Sequence, residues 1–437
     1  MDATALAQAI AEGHTTAPAV MQATFARADA QAELGAVARL LSLDKIPPAA
    51  DGPFRGVPML AKDLGSHAQG LAPSGGSIAM GARVTDPNQD SDFFKALRAL
   101  GLVPIGLSTT PEFGFALSCE PPGQRPARNP FNANLSPGGS SGGAAAAVAA
   151  GIVGVAHATD AAGSIRVPAA CCGLWGFKPS RRATPMGPDF GNYLMGIVGE
   201  GLLARSLRDI TAALAPFQPH GTAPKHPRIA LAIPDRCHGF QADAAHEAAH
   251  LFQASGAKVI PTPAPDELGR ECHAIAGQIL SVSLAEWLDA MGIAEDEVSP
   301  LAAANASLGR ATTGSQVFAL SRRIQQITHT AHALFAEVDA IIMPILSGPP
   351  PSLGAFPTDH ADVAEHLAQM EALAPNAALA NIAGLPALAM PLPTSGPTPT
   401  GVQIMGPQGS DAMLLALAAT LSPPPITYPG PIAGMPQ

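Results

Sequence analysis

The segment Ser-Pro-Gly-Gly-Ser-Ser-Gly-Gly at residues 136–143 is followed by an apolar run and then by Asp-Ala-Ala-Gly-Ser-Ile-Arg-Val-Pro at residues 160–168. The apolar run suits a buried helix followed by a strand, which argues against a flexible glycine-serine linker. Upstream, Lys62 is the last residue of an apolar, strand-like segment. This arrangement predicts a hydrolase with an activated serine: two serines, Ser140 and Ser164, lie in such loops, and one lysine lies at the end of a strand.

A serine hydroxyl is a weak nucleophile until a base takes its proton. A lysine can be that base only in its neutral form, and the ordinary pKa of a lysine is about 10.4. Burial lowers this pKa because a low-dielectric environment disfavours the charged form. We therefore expect Lys62 to be buried. Gly163, directly before Ser164, lets backbone N–H groups come close to a substrate oxygen, as in an oxyanion hole for acyl transfer.

Together these residues resemble the amidase signature family, whose members share a segment of the form GGSSGG…D-x-x-G-S-I-R-x-P…G-x-K-P. The last element of that segment is Gly-Phe-Lys-Pro at residues 176–179 here. The resemblance is strong over about residues 50–215 and 376–421, and about residues 220–370 match only in general layout. The segment Ala-Cys-Cys-Gly-Leu at residues 170–174 is similar to the branch of the family that contains nylon-oligomer and aryl amidases.

The resemblance implies a Ser–cisSer–Lys triad. By motif position, Ser164 is the nucleophile, Ser140 is the bridging serine and Lys62 is the base. It also implies that the peptide bond between Gly139 and Ser140 is cis. We expect neither a cofactor nor a metal ion, because the triad alone supplies the nucleophile and the base.

The resemblance also assigns the loop around the nucleophile. The backbone N–H groups that would form the oxyanion hole belong to Ala161, Ala162, Gly163 and Ser164. The side chains that would brace this loop are Ser141, Asp160 and Arg166. Many members of the family have two glycines before the nucleophile, whereas this chain has Ala162 and Gly163. The extra methyl group is expected to alter the shape of the loop and to leave the triad intact.

The composition limits the class of protein. The chain has 437 residues, of which 47% are hydrophobic and only 13% are charged, and its net charge is −10. This balance argues against a nucleic-acid partner, which would require a basic patch. The five cysteines are odd in number and irregularly spaced, so we expect no disulfide framework and a reduced, cytoplasmic protein. We expect neither a signal peptide nor a membrane span, since no segment has the required apolar core.

Strand-like and helical patterns alternate along the chain, which predicts an α/β protein. We predict a single domain over residues 1–437, with a signature core at about 50–215, a variable substrate-side region at about 220–370 and a C-terminal return at 376–421. The resemblance implies a mixed central β-sheet surrounded by helices, with the site at one edge. The alanine-rich residues 2–43 are predicted to form two helices. The predicted strands nearest the motifs are residues 57–64, 102–107 and 153–159.

The residues that would line the substrate pocket flank the motif segments. They are Phe113, Phe115, Tyr193 and Met195. Only 4% of the chain is aromatic, so these few rings would stand out in a pocket lined mainly by aliphatic side chains. The loop at residues 189–197 follows the signature motifs, and we expect it to determine specificity.

The sequence contains one competing catalytic motif. His246, Glu247 and His250 match H-E-x-x-H, in which two histidines one helical turn apart bind zinc and the glutamate acts as a base. Glu267 or Glu271 would supply a third ligand. The competing interpretation is an exposed helix between two strands, and no other metal-binding element supports a zinc peptidase.

We predict hydrolysis of a carboxylic amide, linear or cyclic, in a small-molecule substrate. Esters, and carbamates such as urethanes, are further predicted substrates because the acyl chemistry is the same. One alternative is a glutamine amidotransferase subunit, which uses the same triad and requires partner subunits. Another is a catalytically silent binding protein of the same fold. We expect no nucleic-acid or membrane partner, and a homodimer, which is common in the family, remains open.

Overall fold

The computed structural model describes residues 2–187, 193–218, 221–237, 239–394 and 396–436. These residues form one eleven-stranded sheet with helices packed on both of its faces. The predicted α/β class with a mixed central sheet is confirmed. In the described residues, no helix combines the length and the apolar character needed to cross a membrane.

The strands form a mixed sheet. In chain order they are β1 Val37–Leu40, β2 Val57–Lys62, β3 Leu102–Ser108, β4 Val155–Asp160, β5 Trp175–Lys178, β6 Gly199–Ala204, β7 Arg228–Leu231, β8 Lys258–Pro261, β9 Ala340–Pro344, β10 Ala387–Leu392 and β11 Thr400–Met405. Their order across the sheet is β1-β3-β2-β4-β6-β5-β10-β11-β9-β7-β8. Strand β2 is parallel to β3 and β4, and β7 is parallel to β8 and β9. The other described pairs are antiparallel.

The described helices surround this sheet. In chain order they are α1 Ala3–Ala11, α2 Ala17–Ala30, α3 Ile78–Gly81, α4 Asp92–Ala99, α5 Gly142–Ala149, α6 Arg166–Cys172, α7 Leu207–Leu214, α8 Phe240–Ala254, α9 Asp266–Met291, α10 Pro300–Ala311, α11 Gly314–His332, α12 Val363–Leu373, α13 Ala377–Ile382 and α14 Asp411–Ala418. Several begin after a hydroxyl or carboxylate that accepts a first-turn N–H, as Thr16 does for α2 and Ser299 for α10. Such caps satisfy backbone donors that have no partner inside the helix.

Alternate residues of β2 belong to two different core layers. Leu60 belongs to the apolar cluster that contains the alanine-rich helix α5 and α6. Met59 and Ala61 belong to the cluster that contains residues of α1 and α4. Because successive side chains of a strand point to opposite faces of a sheet, each face has its own helical layer. A strand covered on both faces is apolar throughout, and every residue of β2, including its last residue Lys62, is buried.

Strands β2 and β4 bring the sequence motifs together. They are parallel neighbours, with Met59 aligned to Val155, so they end on the same side of the sheet. Strand β2 ends at Lys62 and β4 at Asp160. The loop after β4 and the segment that leads into α5 therefore meet beside Lys62, at the carboxyl ends of strands where open α/β sheets commonly hold their sites.

Several predicted boundaries differ from the structure: β3 ends at Ser108 rather than at residue 107, and β4 spans Val155–Asp160 rather than residues 153–159. Residues 2–43 are predicted to be helical, but β1 follows the two helices and pairs antiparallel with β3. A strand as short as β1 shows no clear periodicity, and its pairing partner far along the chain decides its conformation. Strand β2 ends at Lys62 rather than at residue 64, because Asp63 turns to accept the backbone N–H of Ser74 at 2.6 Å.

Candidate active site

Lys62 lies fully buried at the end of β2. Its Nζ atom donates hydrogen bonds to Ser140 Oγ at 2.7 Å and to Thr159 Oγ1 at 2.8 Å. Burial lowers the pKa of Lys62 from its ordinary value to about 7, although nearby acidic groups oppose part of this shift. The neutral amine is therefore accessible near neutral pH, and it can accept a proton.

The glycine-serine segment is packed tightly against the preceding loop. The peptide bond between Gly139 and Ser140 is cis, as predicted. A Cβ atom at Gly139 would lie 2.1 Å from the carbonyl oxygen of Ser118, so only glycine fits at this position. The carbonyl oxygen of Ser140 accepts a hydrogen bond from Thr110 Oγ1 at 2.9 Å. These contacts hold the Ser140 side chain against Lys62.

Ser164 lies in the loop between β4 and α6, and only 7% of its surface is exposed. Its carbonyl oxygen accepts the backbone N–H of Ser141 at 3.2 Å, which joins the two serine loops. Within the described part of the chain, the Ser164 hydroxyl has no hydrogen-bond partner. This hydroxyl is therefore free to engage a substrate.

The carboxylate of Asp160 organises the loop after β4. It accepts the backbone N–H groups of Gly163 at 2.7 Å and of Ile165 at 3.1 Å. The N–H of Gly163, which is predicted as an oxyanion donor, thus already has an acceptor inside the protein. The N–H groups of this loop that find no acceptor among the described residues are those of Ala161, Ala162 and Ser164.

Arg166 is fully buried and connects this loop to the C-terminal part of the chain. Its guanidinium donates to both carboxylate oxygens of Asp160 at 2.9 Å, and to side-chain oxygens of Gln403 and Asn381 at 2.7 Å. Burial alone would raise the pKa of Asp160, but the charge and hydrogen bonds of Arg166 outweigh it and hold this pKa well below its ordinary value. The Asp160 carboxylate is therefore ionised at neutral pH.

Sequence reasoning missed Asn381 and Gln403 as members of the site. Asn381 also donates from Nδ2 to the carbonyl oxygen of Asp160 at 2.6 Å. Both residues are polar positions within apolar, buried elements, α13 and β11. A buried polar side chain requires a hydrogen-bonding partner. The polarity of these two residues therefore indicated that each has a partner, but it did not indicate which residue that partner is.

Replacing Arg166 with methionine is expected to lower the free energy of unfolding by about 3–5 kcal/mol, because the Asp160 carboxylate would stay buried without its cation. Urea unfolding followed by circular dichroism measures this loss. The control is Arg228→Met, whose ion pair with Glu337 is exposed and is worth at most about 1 kcal/mol. Equal losses in the two variants would contradict a structural role for the buried pair.

Phe113 and Phe115 are both buried, on either side of Gly114. A Cβ atom built on Gly114 would lie 3.4 Å from Ser140 Oγ. The backbone that links Phe113 to Phe115 is therefore close to Ser140. Phe113 pairs with Trp287 at 6.1 Å between ring centroids, whereas Phe115 packs in a separate small cluster. The assignment of the two rings to the substrate pocket stays a prediction.

The predicted specificity loop is described only in part. Residues 189–192 and the side chain of Tyr193 lie outside the described residues. Met195 packs against the apolar cluster that contains Ala162, beside the loop after β4. Leu194 and Met195 have φ angles of 53° and 52°, a left-handed conformation that is uncommon outside glycine and is concentrated at functional sites. The specificity role of the loop stays a prediction.

A cavity of about 430 Å³ opens beside the loop that follows β2. The residues that line it include Gly65, Ser66, Met80, Arg83, Trp287 and Met291. None of the residues of the predicted triad lines this cavity. Met80 and Trp287 also pack with Phe113. The cavity therefore shares a wall with the surroundings of Ser140 but does not contain the two serines.

The H-E-x-x-H motif lies on α8 with His246, Glu247 and His250 exposed. Glu247 and His250 approach each other only to 3.9 Å, and Glu271 forms an ion pair with Arg323. In the part of the chain that the structure describes, no group of three or more His, Cys, Asp or Glu side chains could share a metal ion. The geometry fits the competing interpretation of an exposed helix.

The sequence model of the family described as Amidase matches residues 4–220 and 284–415 of the chain. The matched segments include Lys62 and both serine loops. The chain belongs to the amidase family. The predicted amidase signature resemblance is confirmed, and this amidase is an amidohydrolase.

Three comparisons show what this amidase is similar to. It is 31% identical over 458 residues to the "Putative amidase AmiC" of Mycobacterium bovis, with 96% of this chain and 94% of the relative covered. It is 41% identical over 219 residues to the 6-aminohexanoate-cyclic-dimer hydrolase of Paenarthrobacter ureafaciens, with 49% and 44% covered. A solved structure of 6-aminohexanoate cyclic dimer hydrolase matches with a TM-score of 0.85, 30% identity and 96% of each chain covered. These relatives do not favour the amidotransferase alternative.

Proposed function

We propose that this amidase hydrolyses small-molecule amides through a triad of Ser164, Ser140 and Lys62. The observation that carries the proposal is the 2.7 Å hydrogen bond from Lys62 Nζ to Ser140 Oγ in a buried site. Because burial lowers the pKa of Lys62 to about 7, a neutral amine is available near physiological pH, as a general base requires. The hydrogen bond connects that amine to a serine hydroxyl.

In the proposed reaction, neutral Lys62 accepts the proton of Ser140 while Ser140 accepts the proton of Ser164. Ser164 Oγ forms a bond to the carbonyl carbon, and an electron pair of the C=O bond moves onto oxygen. Collapse of this intermediate breaks the C–N bond, and the proton returns through Ser140 to the leaving nitrogen. Water then attacks the acyl-enzyme by the same proton route, which releases the carboxylic acid and restores Ser164.

Backbone donors are proposed to stabilise the oxyanion of the intermediate. The donors without an acceptor among the described residues are the N–H groups of Ala161, Ala162 and Ser164. The N–H of Gly163 completes the family's set, and in this structure it donates to Asp160. Removing one such donor typically costs about 10²–10³ in kcat. The proposed supports of the loop are Asp160, Arg166 and Ser141, whose hydroxyl donates to the carbonyl oxygen of Thr159 at 3.2 Å.

The proposed substrates are linear or cyclic amides with an apolar body. The named relative acts on 6-aminohexanoate cyclic dimer, which makes aliphatic amides of that kind the first candidates. Esters and carbamates, including urethanes, are further candidates because each passes through an acyl-enzyme. The side chains proposed to line the pocket are Phe113, Phe115, Tyr193 and Met195.

Trapping the acyl-enzyme tests this function. The enzyme is mixed with a p-nitrophenyl ester, quenched at early times and analysed by peptide mass spectrometry, with and without a chelator. We expect one acyl group on the peptide that contains Ser164, and an unchanged rate with chelator. An adduct on another residue, or activity abolished by the chelator, would contradict the serine mechanism and favour a zinc peptidase at His246 and His250. Glutamine-dependent ammonia release only with partner subunits would favour the amidotransferase alternative.

The value of kcat/KM is expected to fall on the acid side with an apparent pKa of about 7, the value to which burial lowers the pKa of Lys62. Below this pH, Lys62 holds a proton and cannot accept another, so the rate should fall about tenfold per pH unit. Stopped-flow or initial-rate assays between about pH 5 and 9 measure this acid limb.

A second buried lysine provides the control for the pH profile. Burial also lowers the pKa of Lys178 to about 7, but its Nζ atom donates to the carbonyl oxygen of Pro179 at 2.7 Å rather than to a serine. The acid limb should therefore persist in Lys178→Met. Loss of the limb in this variant would contradict the assignment of the base to Lys62.

We infer a cytoplasmic location for this amidase. All five cysteines are buried and unpaired, as is usual for proteins of reducing compartments. Alkylation of thiols in cell fractions would test this, since oxidised cysteines would resist alkylation. Sedimentation velocity would distinguish a monomer from a homodimer.

A further inference from the structure

Two fully buried ionisable side chains, His157 of β4 and Glu200 of β6, lie behind Lys62. Strands β4 and β6 are antiparallel, with Thr159 opposite Glu200. Because side chains alternate along a strand, His157, Thr159 and Glu200 share one face of the sheet. Thr159 is the residue whose hydroxyl accepts from Lys62 Nζ. The lysine therefore approaches a polar cluster in an otherwise apolar sheet.

His157 and Glu200 hold both ends of the short segment 62–66. The backbone N–H of Lys62 donates to His157 Nδ1 at 3.1 Å. The backbone N–H of Ser66 donates to Glu200 Oε1 at 2.9 Å. A Cβ atom at Gly65 would lie 2.6 Å from Thr159 Cγ2 and 3.0 Å from Glu200 Oε1, so the segment lies directly against the pair.

The hydrogen bonds indicate the tautomer of His157. His157 Nδ1 accepts the hydrogen bond from the Lys62 N–H, so a ring proton is on Nε2. That Nε2–H donates to Glu200 Oε2. Glu200 Oε2 is then the acceptor of this hydrogen bond, while Oε1 accepts the backbone N–H of Ser66. The rings of Phe93 and Phe94 pack on the imidazole at centroid distances of 5.4 and 5.0 Å.

We propose that His157 and Glu200 are positioning residues for Lys62: they fix the backbone of residues 62–66 so that Nζ stays on Ser140, and the Glu200 carboxylate preserves the basicity of the amine. This inference rests on the proposed role of Lys62 as the base. Neither side chain is exposed, so both act through Lys62 rather than on the substrate.

Three acidic groups lie near Lys62, and they differ in how far their charge can act on its amine. The acidic groups that face the lysine are Cys119, Asp160 and Glu200. Burial raises the pKa of Cys119 to about 12, so this thiol is uncharged at neutral pH. The charge of Asp160 is compensated by Arg166. The Glu200 carboxylate accepts hydrogen bonds from the Ser66 N–H and from His157 Nε2, and within the described residues it forms no ion pair with a lysine or an arginine.

The test is the pH profile of Glu200→Gln. The substitution keeps the shape of the side chain but removes the charge, so the acid limb of kcat/KM should move to lower pH by about half a unit or more. Glutamine also offers one acceptor oxygen instead of two, so either Ser66 or His157 loses its acceptor. We expect kcat to fall about 10- to 100-fold, because small misplacements of a catalytic group have effects of this size, with KM unchanged.

Two further variants separate charge from structure. Glu200→Asp keeps the charge with a shorter side chain, so kcat should fall while the acid limb stays near its wild-type position. Asp209→Asn is the matched control, because Asp209 is a buried carboxylate that accepts two backbone N–H groups, from Ala3 and Thr4, away from the site. Its acid limb should equal that of the wild type.

An acid limb at the wild-type pH in Glu200→Gln would overturn the proposal. So would an equal shift in Asp209→Asn, since the effect would then be general. An acid limb that survives Lys62→Met would overturn the role of Lys62 itself, and with it the role of the pair. These outcomes are distinguishable because the last concerns a different variant.

Discussion

Replacing Ser164 with alanine is expected to lower kcat by at least about 10⁴-fold while leaving the fold unchanged. The proposed reaction has no acyl-enzyme without this hydroxyl, and the remaining oxyanion donors and binding contacts supply only a small residual rate. The Ser164 hydroxyl has no hydrogen-bond partner in the described residues, so its removal breaks no internal bond. Initial rates with a p-nitroanilide and thermal unfolding of the same samples measure both effects.

The control for Ser164→Ala is Ser118→Ala. Ser118 is also buried, and its hydroxyl likewise lacks a partner among the described residues. Both variants remove one buried hydroxyl, but only Ser164 lies in the loop after β4. The control should therefore keep its rate within about threefold of the wild type. Activity that survives in Ser164→Ala, or an equal loss in both variants, would refute the assignment of the nucleophile.

Replacing Lys62 with methionine is expected to lower kcat by about 10³–10⁴-fold, because the proposed general base is removed. The acid limb near pH 7 should disappear with it. Methionine has nearly the length of lysine and suits a buried site, so the loss should come from the amine rather than from a cavity. Rates measured over the full pH range test both parts of this expectation.

The same variant should be at least as stable as the wild type at pH 8. In the folded protein, burial lowers the pKa of Lys62 to about 7, so between about pH 7 and 10 the unfolded chain binds a proton that the folded chain does not. Stability contributed by this group therefore rises with pH across that window, and at pH 8 the buried lysine destabilises the fold. Methionine removes this cost, although it also loses the hydrogen bonds to Ser140 and Thr159.

Thermal unfolding of Lys62→Met at pH 8 tests the stability prediction. Lys258→Met, at an exposed position of β8, is the control and should change neither the rate nor the midpoint. A lower midpoint in Lys62→Met would show that its hydrogen bonds outweigh the burial of the amine. A retained acid limb would show that another group titrates in the reaction.

The sequence predicted the parts of this protein that depend on local pattern. Apolar runs bounded by glycines marked β2, β3 and β4, and the alanine-rich run after residue 141 marked α5. The motif residues also identified Lys62 and Ser140, which the structure joins by a hydrogen bond. Such features are predictable because strand and helix periodicity, and the small volume of glycine, act over a few residues.

Other parts of the site are determined by contacts between residues far apart in the chain. The partners of Arg166 include Gln403 and Asn381, and the partner of His157 is Glu200. The spacing of these residues along the sequence does not indicate how close they lie in the folded protein. They follow from the order of β6, β4 and β2 in the sheet and from the fold-back of the C-terminal return.

The sequence by itself determined the family and the α/β class, and it predicted the residues of the proposed triad, because these follow from local motifs. Only the tertiary structure decided that Lys62 is fully desolvated, that the N–H of Gly163 donates to Asp160, and that His157 and Glu200 hold the lysine from behind. The reason is physical: burial and hydrogen-bond direction belong to the packed sheet. Burial and hydrogen-bond direction are set only when strands that are distant in the sequence pack side by side.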